Sequence, residues 1–258
     1  QICVLCAGDP QRAPQTRRPG AASVGLSLMA CTSAGDSPYL HGQIDSVESG
    51  GLIFDRLAIT EDILGPAFAT VDDINGDGQV DIALSMFGKI DGFQVPDGQV
   101  LLLQQGQDWT DWSGEPLLPF GESYKWPNGT EAHDMDGDGD NDILVQERRR
   151  QGLFYYVNPG NEKITKRWPV KVIDPQPSGM FAAYGDVNGD GRLDLVKAAE
   201  KIRIFLRAND NGTPVYERVE VDLPAQPASV RVKPKSKGVA IFEMNGDPSY
   251  PEILIIPE

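Results

Sequence analysis

The chain has 258 residues, with 38 acidic against 23 basic side chains and a formal net charge of −15. This length suffices for one large domain with a sizeable core, and so acidic a surface repels phosphate backbones, which argues against nucleic acid as a partner. The 28 glycines and 20 prolines indicate many turns. No run of 18 apolar residues occurs, so no transmembrane helix is predicted.

Residues 1–37 differ from the rest and are predicted to be an N-terminal extension. Arg17 and Arg18 precede a short apolar run that ends in L-M-A-C, with its cysteine at Cys31. This order resembles a bacterial lipoprotein signal, which would place a lipid anchor on Cys31. Two other interpretations stay open: a strand at 23–32, or an assembly arm that adds a strand to a neighbouring subunit.

Strands are predicted along the chain from residue 38 onward. Short segments with β-branched and aromatic residues, bounded by Gly, Asn and Asp, are typical of strands. The predicted strands are 51–60; 68–71, 81–86, 99–105 and a weaker one at 116–119; 130–133, 142–146, 152–157 and 168–173; 181–185, 194–198, 202–207 and 216–221; and 252–256. No helical heptad occurs, so the predicted fold class is all-β.

One nine-residue segment occurs three times between these strands. It reads D-I-N-G-D-G-Q-V-D at 73–81 (loop 1), D-M-D-G-D-G-D-N-D at 134–142 (loop 2) and D-V-N-G-D-G-R-L-D at 186–194 (loop 3). Side-chain oxygens stand at positions 1, 3, 5 and 9, position 7 offers a backbone carbonyl, and glycine at position 6 permits the sharp turn that lets the oxygens converge. Hard cations such as calcium take six to eight oxygen ligands of these kinds.

The pattern predicts three calcium sites. Their candidate ligands are Asp73, Asn75, Asp77, Gln79 and Asp81 in loop 1; Asp134, Asp136, Asp138, Asp140 and Asp142 in loop 2; and Asp186, Asn188, Asp190, Arg192 and Asp194 in loop 3. D-G and N-G pairs also mark hairpin turns. A turn, however, needs one or two such residues and not four oxygens in a fixed register three times.

The segments that flank these loops distinguish them from EF-hands. An EF-hand needs a bidentate glutamate at position 12 and a helix on each side. Here position 12 is Leu84, Val145 and Lys197, and a short apolar run of strand length comes directly after each loop. Each loop is therefore predicted to connect two strands.

A fourth, degenerate copy begins 57 residues after the start of loop 3. It keeps oxygens at positions 1, 3 and 5, namely Glu243, Asn245 and Asp247, but has no glycine at position 6. This fourth site is predicted to be empty or weak. A period of 50–60 residues with four short strands per repeat is typical of a propeller blade.

Loops 1 to 3 and their flanking strands resemble FG-GAP/VCBS repeats over about residues 50–258. Such repeats form calcium-braced blades in integrin head domains, fungal lectins and many bacterial surface proteins. The resemblance implies a β-propeller at 38–258 with calcium-binding inter-strand loops. The repeats predict four blades, or five if residues 1–37 add another, with the ends of the chain pairing to close the ring and remove open edges. The alternative is an incomplete ring completed by a neighbouring chain.

The predicted function is non-enzymatic. The chain contains two histidines and no G-x-S-x-G, H-E-x-x-H or P-loop motif. Millimolar calcium occurs outside cells, so an extracellular or cell-surface location is predicted. The expected role is a structural or adhesive module that self-associates into an oligomer or filament, with a glycan or surface protein as a further candidate partner.

Two alternatives concern carbohydrates. Trp109, Trp112, Phe120, Tyr124 and Trp126 crowd into one stretch, where exposed rings would stack on sugars as in a lectin and buried ones would pack between sheets, the favoured interpretation. The other alternative is an accessory domain of a polysaccharide-active enzyme.

Two N-G-T sequences, at 128–130 and 211–213, match the glycosylation motif. Because Asn-Gly is also a preferred pair in hairpin turns, both are interpreted as turns.

Overall fold

A computed structural model describes thirteen stretches of the chain. They are residues 2–7, 44–49, 52–60, 65–87, 98–117, 126–148, 151–160, 168–176, 179, 181–198, 201–222, 236–242 and 252–257. These residues form strands, turns and bends, with no helix among them, so the all-β prediction is confirmed for this part of the chain. Consequently, no helix in these stretches could cross a membrane.

The described strands form five sheets in which neighbouring strands run antiparallel. Sheet 1 contains β1 (Ile2–Ala7), β2 (Ile44–Ser49) and β3 (Leu52–Thr60), in the order β1-β3-β2. Sheet 2 contains β4 (Pro66–Asp72), β5 (Asp81–Met86), β6 (Gln99–Gln105) and β7 (Trp112–Leu117). Sheet 3 contains β8 (Pro127–His133), β9 (Asp142–Glu147), β10 (Gly152–Tyr156) and β11 (Val170–Asp174).

Sheets 4 and 5 continue the series. Sheet 4 contains β12 (Ala182–Gly185), β13 (Asp194–Ala198), β14 (Lys201–Arg207) and β15 (Tyr216–Asp222). Sheet 5 pairs β16 (Ser236–Phe242) with β17 (Glu252–Pro257). In sheets 2, 3 and 4 the strands lie in sequence order, so each sheet is a simple meander of four strands.

Most predicted strands are confirmed within a few residues. β5, β6 and β13 begin and end where the sequence predicts. The largest shift is in β7, which covers Trp112–Leu117 where the sequence indicates 116–119. β2 lies within 38–60, where the sequence indicates outer strands but gives bounds only for 51–60. β16 precedes the degenerate loop, where the sequence implies a first strand of the fourth repeat without bounds. β1 was not predicted; it pairs with β3 of its own chain, with Val4 opposite Leu57.

The two N-G-T sequences adopt different structures. Asn128 lies in β8 and is fully buried, so its interpretation as a turn is wrong. Asn211, by contrast, lies in a bend where Gly212 has a φ of 76°, and its interpretation as a turn is confirmed. Asn128 and Thr130 of β8 are buried, and Thr130 Oγ1 donates to the carbonyl of Ala83 in sheet 2 at 3.2 Å. A dipeptide signal contains no such tertiary context.

The contacts divide the chain into two compact units. One comprises Gln1–Leu64 and Leu103–Gly114, and the other comprises Gly65–Leu102 and Glu115–Glu258. The predicted boundary after residue 37 falls among residues 8–43, outside the described stretches.

In the second unit, the central strands β9 and β10 of sheet 3 are buried on both faces. Side chains alternate between the two faces of a strand, so Ile143 and Val145 of β9 join a core with Val100 and Leu102 of sheet 2. Leu144, between them, belongs to a second core. That core also contains Met135 and Tyr155, together with Leu195 and Phe205 of sheet 4. Sheets 2, 3 and 4 therefore stack face to face in chain order, with apolar layers between them.

Candidate metal centre

Each nine-residue loop connects the first and second strands of a sheet. Loop 1 joins β4 to β5, loop 2 joins β8 to β9, and loop 3 joins β12 to β13. The strand residues on either side are direct cross-strand partners, as in His133 opposite Asp142 and Gly185 opposite Asp194. The predicted strand–loop–strand arrangement is therefore confirmed, and position 9 is the first residue of the second strand.

The carboxylate at position 1 organises the turn of each loop. In loop 2, Asp134 Oδ1 accepts hydrogen bonds from the N–H groups of Gly137 and Asp138 at 2.7 and 3.2 Å, and its Oδ2 accepts one from Gly139 at 3.0 Å. Asp73 and Asp186 accept hydrogen bonds from backbone groups in the same way. The loop backbone thus folds around this carboxylate and turns its side chain inward.

Glycines at positions 4 and 6 both adopt left-handed backbone conformations. The φ angles in loop 2 are 79° at Gly137 and 98° at Gly139, and loops 1 and 3 have the same pair. L residues with a Cβ rarely adopt these angles. Only position 6 was predicted to need glycine, although glycine at position 4 in every copy was a signal for the second turn.

The carboxylate at position 9 is buried and fixes the start of the loop. Asp142 Oδ2 accepts a hydrogen bond from the N–H of Met135 at 3.0 Å, and Asp142 Oδ1 accepts one from Asn158 at 2.7 Å. Asp81 and Asp194 accept equivalent bonds from position 2 of their own loops. Burial raises the pKa of Asp142 to about 7, with a contribution from the charge of Asp136 that exceeds that of Asp138.

Loop 2 brings three carboxylates together at its mouth. Ligand oxygens of Asp134, Asp136 and Asp138 all lie within 4.8 Å of one another. Asp136 Oδ1 is buried and has no hydrogen-bond partner. Desolvation, followed by the charge of Asp138, raises the pKa of the Asp136 carboxyl. An unpaired buried oxygen among like charges is unfavourable unless a cation occupies the space between them, so this donor set fits a divalent ion.

Loops 1 and 3 carry an asparagine at position 3 in place of Asp136. In loop 1, Asn75 Oδ1 accepts a hydrogen bond from the N–H of Asp77 at 3.0 Å, and Asn75 Nδ2 donates to Asp77 Oδ2 at 3.1 Å. Asn188 and Asp190 repeat this geometry in loop 3. The amide therefore bridges the third and fifth positions, and these two loops contain less negative charge than loop 2.

The residue at position 7 has a different side chain in each loop. The N–H groups of Gln79, Asp140 and Arg192 all donate to the carboxylate at position 5. Arg192 also uses its guanidinium, whose Nη1 lies 3.0 Å from Asp190 and whose Nε lies 2.5 Å from Asp210. Loop 3 thus contains a positive charge of its own. The backbone carbonyls at position 7 remain predicted ligands.

The degenerate fourth loop lies outside the described residues, as do Glu243, Asn245 and Asp247. The two strands that flank it, β16 and β17, pair with each other. Cys31 and the predicted signal segment also lie outside the described stretches.

Loops 1 and 2 are held by groups from the next sheet, which the sequence motifs do not predict. Asn158, which is buried after β10, donates through Nδ2 to the carbonyl of Ile74 in loop 1 at 2.7 Å and to that of Asn141 in loop 2 at 3.0 Å. Similarly, the N–H of Gly212, after β14, donates to the carbonyl of Asp136. Each of these two loops is therefore braced by the connection between the third and fourth strands of the next sheet.

The aromatic residues considered for sugar binding are engaged in packing where they are described. Trp112 is buried, and its Nε1 donates to the carbonyl of Trp109 at 2.8 Å. Trp126 stacks on Phe87 with ring centroids 5.8 Å apart, and Arg148 lies 5.6 Å from the Trp126 ring. The favoured packing interpretation agrees with these contacts, while 118–125 lie outside the described stretches.

Together, the four-stranded meanders and their Asp/Asn/Gly hairpin loops define an all-β protein built from repeats. A family model described as an FG-GAP-like repeat matches residues 134–196. The match begins at the first residue of loop 2 and ends within β13, so it covers one full repeat interval. It is consistent with an FG-GAP/VCBS repeat protein and confirms the resemblance that the sequence motifs indicated. No curated protein matches the chain.

Proposed function

We propose that this chain is a calcium-stabilised, non-enzymatic β-propeller that serves as a structural or adhesive module outside the cell. One observation carries the proposal. In loop 2, three carboxylates converge within 4.8 Å, and a buried oxygen of Asp136 has no partner within the protein. A hard divalent cation supplies the positive charge that such a donor set lacks.

The cation would be held by residues that already share one loop. Asp134, Asp136 and Asp138 offer side-chain oxygens, and Asp140 offers its backbone carbonyl. Asp142, at the end of the loop, accepts a hydrogen bond from the N–H of Met135 at its start. Loops 1 and 3 provide the corresponding oxygens with fewer carboxylates. Because no helix flanks these loops among the described residues, the ion would pin a β-hairpin and not an EF-hand helix pair.

The arrangement of the sheets supports the propeller. Sheets 2, 3 and 4 stack face to face through apolar layers. The first strand of each of these sheets, β4, β8 and β12, contributes residues to one shared cavity. Strands that lead their sheets and meet in this way are expected around a propeller axis. Four blades, with the ends of the chain closing the ring, are part of the proposal.

The extracellular location is proposed from the calcium supply, because sites of this type fill most readily where calcium is millimolar.

Self-association into oligomers or filaments is proposed from the repetitive body. Electron microscopy of the purified protein tests it: filaments or rings of subunits are expected, and monodisperse single particles would remove this part of the proposal. The lectin and accessory-domain alternatives have less support, because Trp112 is packed and not presented.

Calorimetric titration of metal-free protein with calcium chloride tests the central claim. We expect several binding events, with the tightest lost in Asp136→Ala because that carboxylate completes the cluster in loop 2. Asp222→Asn is the matched control, since it changes the charge of an exposed aspartate on β15, away from the loops. If calcium released or absorbed no heat of binding, or if Asp222→Asn lost the tightest binding event as Asp136→Ala does, the proposal would be contradicted.

A further inference from the structure

One side chain holds two of the candidate calcium loops at once. Asn158 follows β10 in sheet 3 and is only 4% exposed. Its Nδ2 donates to carbonyls in different loops, that of Ile74 in loop 1 at 2.7 Å and that of Asn141 in loop 2 at 3.0 Å. An amide nitrogen of this kind has two hydrogens to donate, so each loop takes one of them.

The backbone of the same residue contacts a candidate ligand. The N–H of Asn158 donates to Asp142 Oδ1, at position 9 of loop 2, at 2.7 Å. The side-chain oxygen of Asn158 accepts from the N–H of Gly160 at 3.2 Å, which fixes the orientation of the amide. A displacement of Asp142 would therefore also displace the side chain that holds Ile74 of loop 1.

Two further contacts join loops 1 and 2 directly. Asn141 Nδ2, at position 8 of loop 2, donates to the carbonyl of Asp73, at position 1 of loop 1, at 3.4 Å. A Cβ added at Gly76 of loop 1 would lie 3.8 Å from Asp140 Oδ1 of loop 2. A carboxylate of loop 2 therefore lies beside the backbone of loop 1, where its negative charge would reduce the repulsion between cations in the two loops.

Sheet 4 shows that this bridge is not a consequence of the fold alone. The N–H of Arg207 donates to Asp194 Oδ1 at 2.8 Å, so Arg207 makes the backbone contact that Asn158 makes in sheet 3. The guanidinium of Arg207, however, donates to the carbonyls of Asn209 and Asp210, which follow it directly in the chain. The backbone contact is common to both sheets, whereas the bridge to a neighbouring loop depends on the amide of Asn158.

We propose that loops 1 and 2 bind calcium cooperatively, with Asn158 as the positioning residue that couples them. This coupling rests on the calcium sites proposed above. An ion in loop 2 would order Asn141 and Asp142, and through Asn158 it would also order the start of loop 1. The next ion then enters a loop that is already ordered, so its binding costs less conformational entropy.

Calcium titrations of the metal-free full chain, followed by NMR, measure the two loops separately. The N–H groups of Gly78 and Gly139 stand at position 6 of loops 1 and 2 and donate to the carboxylates at position 1, so their shifts report one loop each. Asp136→Ala removes a candidate ligand from loop 2 only. If the loops are coupled, this variant should raise the Kd of loop 1 by about fivefold.

Variants at position 158 test the bridge. In Asn158→Ala, adding Asp136→Ala should leave the Kd of loop 1 unchanged, a result that a merely structural role of Asn158 would not produce. Asn158→Ser has one hydroxyl donor and cannot bond to both loops, so it should give the same result if the alanine variant does not fold. Thr130→Val is the matched control, because it removes hydrogen bonds between sheets 2 and 3 that touch no loop. The fivefold effect of Asp136→Ala should persist in this control.

The outcomes separate the coupling from the calcium sites themselves. If both loops bind calcium but Asp136→Ala leaves the Kd of loop 1 unchanged, the loops are independent and the coupling is overturned. Persistence of the effect in the Asn158 variants, or its loss in Thr130→Val, would overturn the role of Asn158. If no loop amide shifted with calcium, the calcium proposal would fail as well.

Discussion

At the scale of single residues, the glycines of loop 2 differ in what surrounds them. Gly137 and Gly139 both have positive φ angles. A Cβ on Gly137 would lie 2.5 Å from Asn211 Oδ1 and 3.3 Å from the Asn211 Cα, whereas a Cβ on Gly139 would meet nothing within 4 Å. One position therefore combines backbone strain with a steric clash, and the other has backbone strain alone.

This difference predicts unequal costs for the same substitution. Gly139→Ala should lower the free energy of unfolding by about 1–2 kcal/mol, the cost of a left-handed alanine. Gly137→Ala should cost more, because Asn211 must also move. Urea denaturation of both variants with calcium present measures the difference, and equal midpoints would show that the contact with Asn211 is unimportant.

Single residues also show where prediction from sequence ends. The convergence of Asp134, Asp136 and Asp138 was predictable because Asp and Gly recur in one register, and a local turn brings these three carboxylates together. Asn158 was not predictable as a residue that braces two loops. It bonds to a carbonyl 84 positions away. A local pattern contains no such information.

At the scale of elements, loop 2 should make the metal-free fold sensitive to pH. The pKa of Asp142 is about 7 in the fold, against an ordinary value of 3.8, because burial disfavours its charged form. Between these values the folded chain binds more protons than the unfolded chain. Its stability is therefore greatest at low pH and falls as pH rises, until it levels above about pH 7. Bound calcium favours the charged carboxylate and should remove this loss.

Thermal melting of chelated protein from about pH 4 to about pH 8 measures this effect. His133 opposes it, since burial lowers its pKa against a smaller opposite influence of Asp72. The comparison is therefore made with Asp142→Asn, which keeps an oxygen to accept from Asn158 but does not titrate. The melting temperature of the wild type should fall relative to this variant as pH rises, and a parallel pair of curves would contradict the assignment.

A buried ion pair joins sheets 3 and 4. Lys197 Nζ lies 3.1 Å from Asp174 Oδ2, and both side chains are 0% exposed. Lys197 also donates to the carbonyl of Gln176, and Arg203 lies 3.3 Å from Asp174. Burial lowers the pKa of Lys197, although the charge of Asp174 opposes this shift. Lys197 stands at position 12 of loop 3. Where an EF-hand would have a glutamate, this loop therefore has a lysine with a buried ammonium group.

Removing one partner of this pair should be far worse than removing both. Asp174→Leu should cost about 3–5 kcal/mol of unfolding free energy, because Lys197 stays buried beside Arg203 without its carboxylate, while Lys197→Met added to Asp174→Leu should recover much of the loss. The exposed pair of Lys201 and Asp222, 3.3 Å apart, is the control, and Asp222→Ala should cost about 0–1 kcal/mol. A double-mutant cycle in urea measures both.

The strands themselves were largely predictable from sequence. In β5 and β13, short apolar runs come directly after a loop with a strong turn signal, so both ends of each strand are marked. β7 was misplaced because only its last residues are apolar in sequence, and Trp112, which begins it, resembled part of an aromatic loop. β1 depends on pairing with β3 across about fifty residues, a contact that its own six residues do not indicate.

At the scale of the whole molecule, calcium should contribute a large share of the stability. A ligand that binds only the folded state adds about 2.7 kcal/mol per site at a hundredfold excess over its Kd. Three such sites rival the net stability of an ordinary domain, about 5–15 kcal/mol. We expect excess EDTA to lower the melting temperature markedly and calcium chloride to restore it. An unchanged melting curve in EDTA would argue against the calcium assignment.

The repeat organisation was readable from sequence because the loops mark each sheet at a regular interval. Blade number and ring closure were not, since they depend on how distant strands meet and not on any local pattern. The division of the chain into two units depends on such distant contacts as well, because 103–114 group with 1–64 across a long separation in sequence.

The unequal charge of the three loops has a consequence for how the protein would respond to its surroundings. Loop 2 has five aspartates, loop 1 has three, and loop 3 has three together with the guanidinium of Arg192. As the calcium concentration falls, we expect the loops to release their ions in turn, loop 3 first and loop 2 last, and so to loosen one hairpin at a time. The rigidity of such a protein would change in steps with the calcium concentration around it, and the protein would not switch from rigid to flexible at a single concentration.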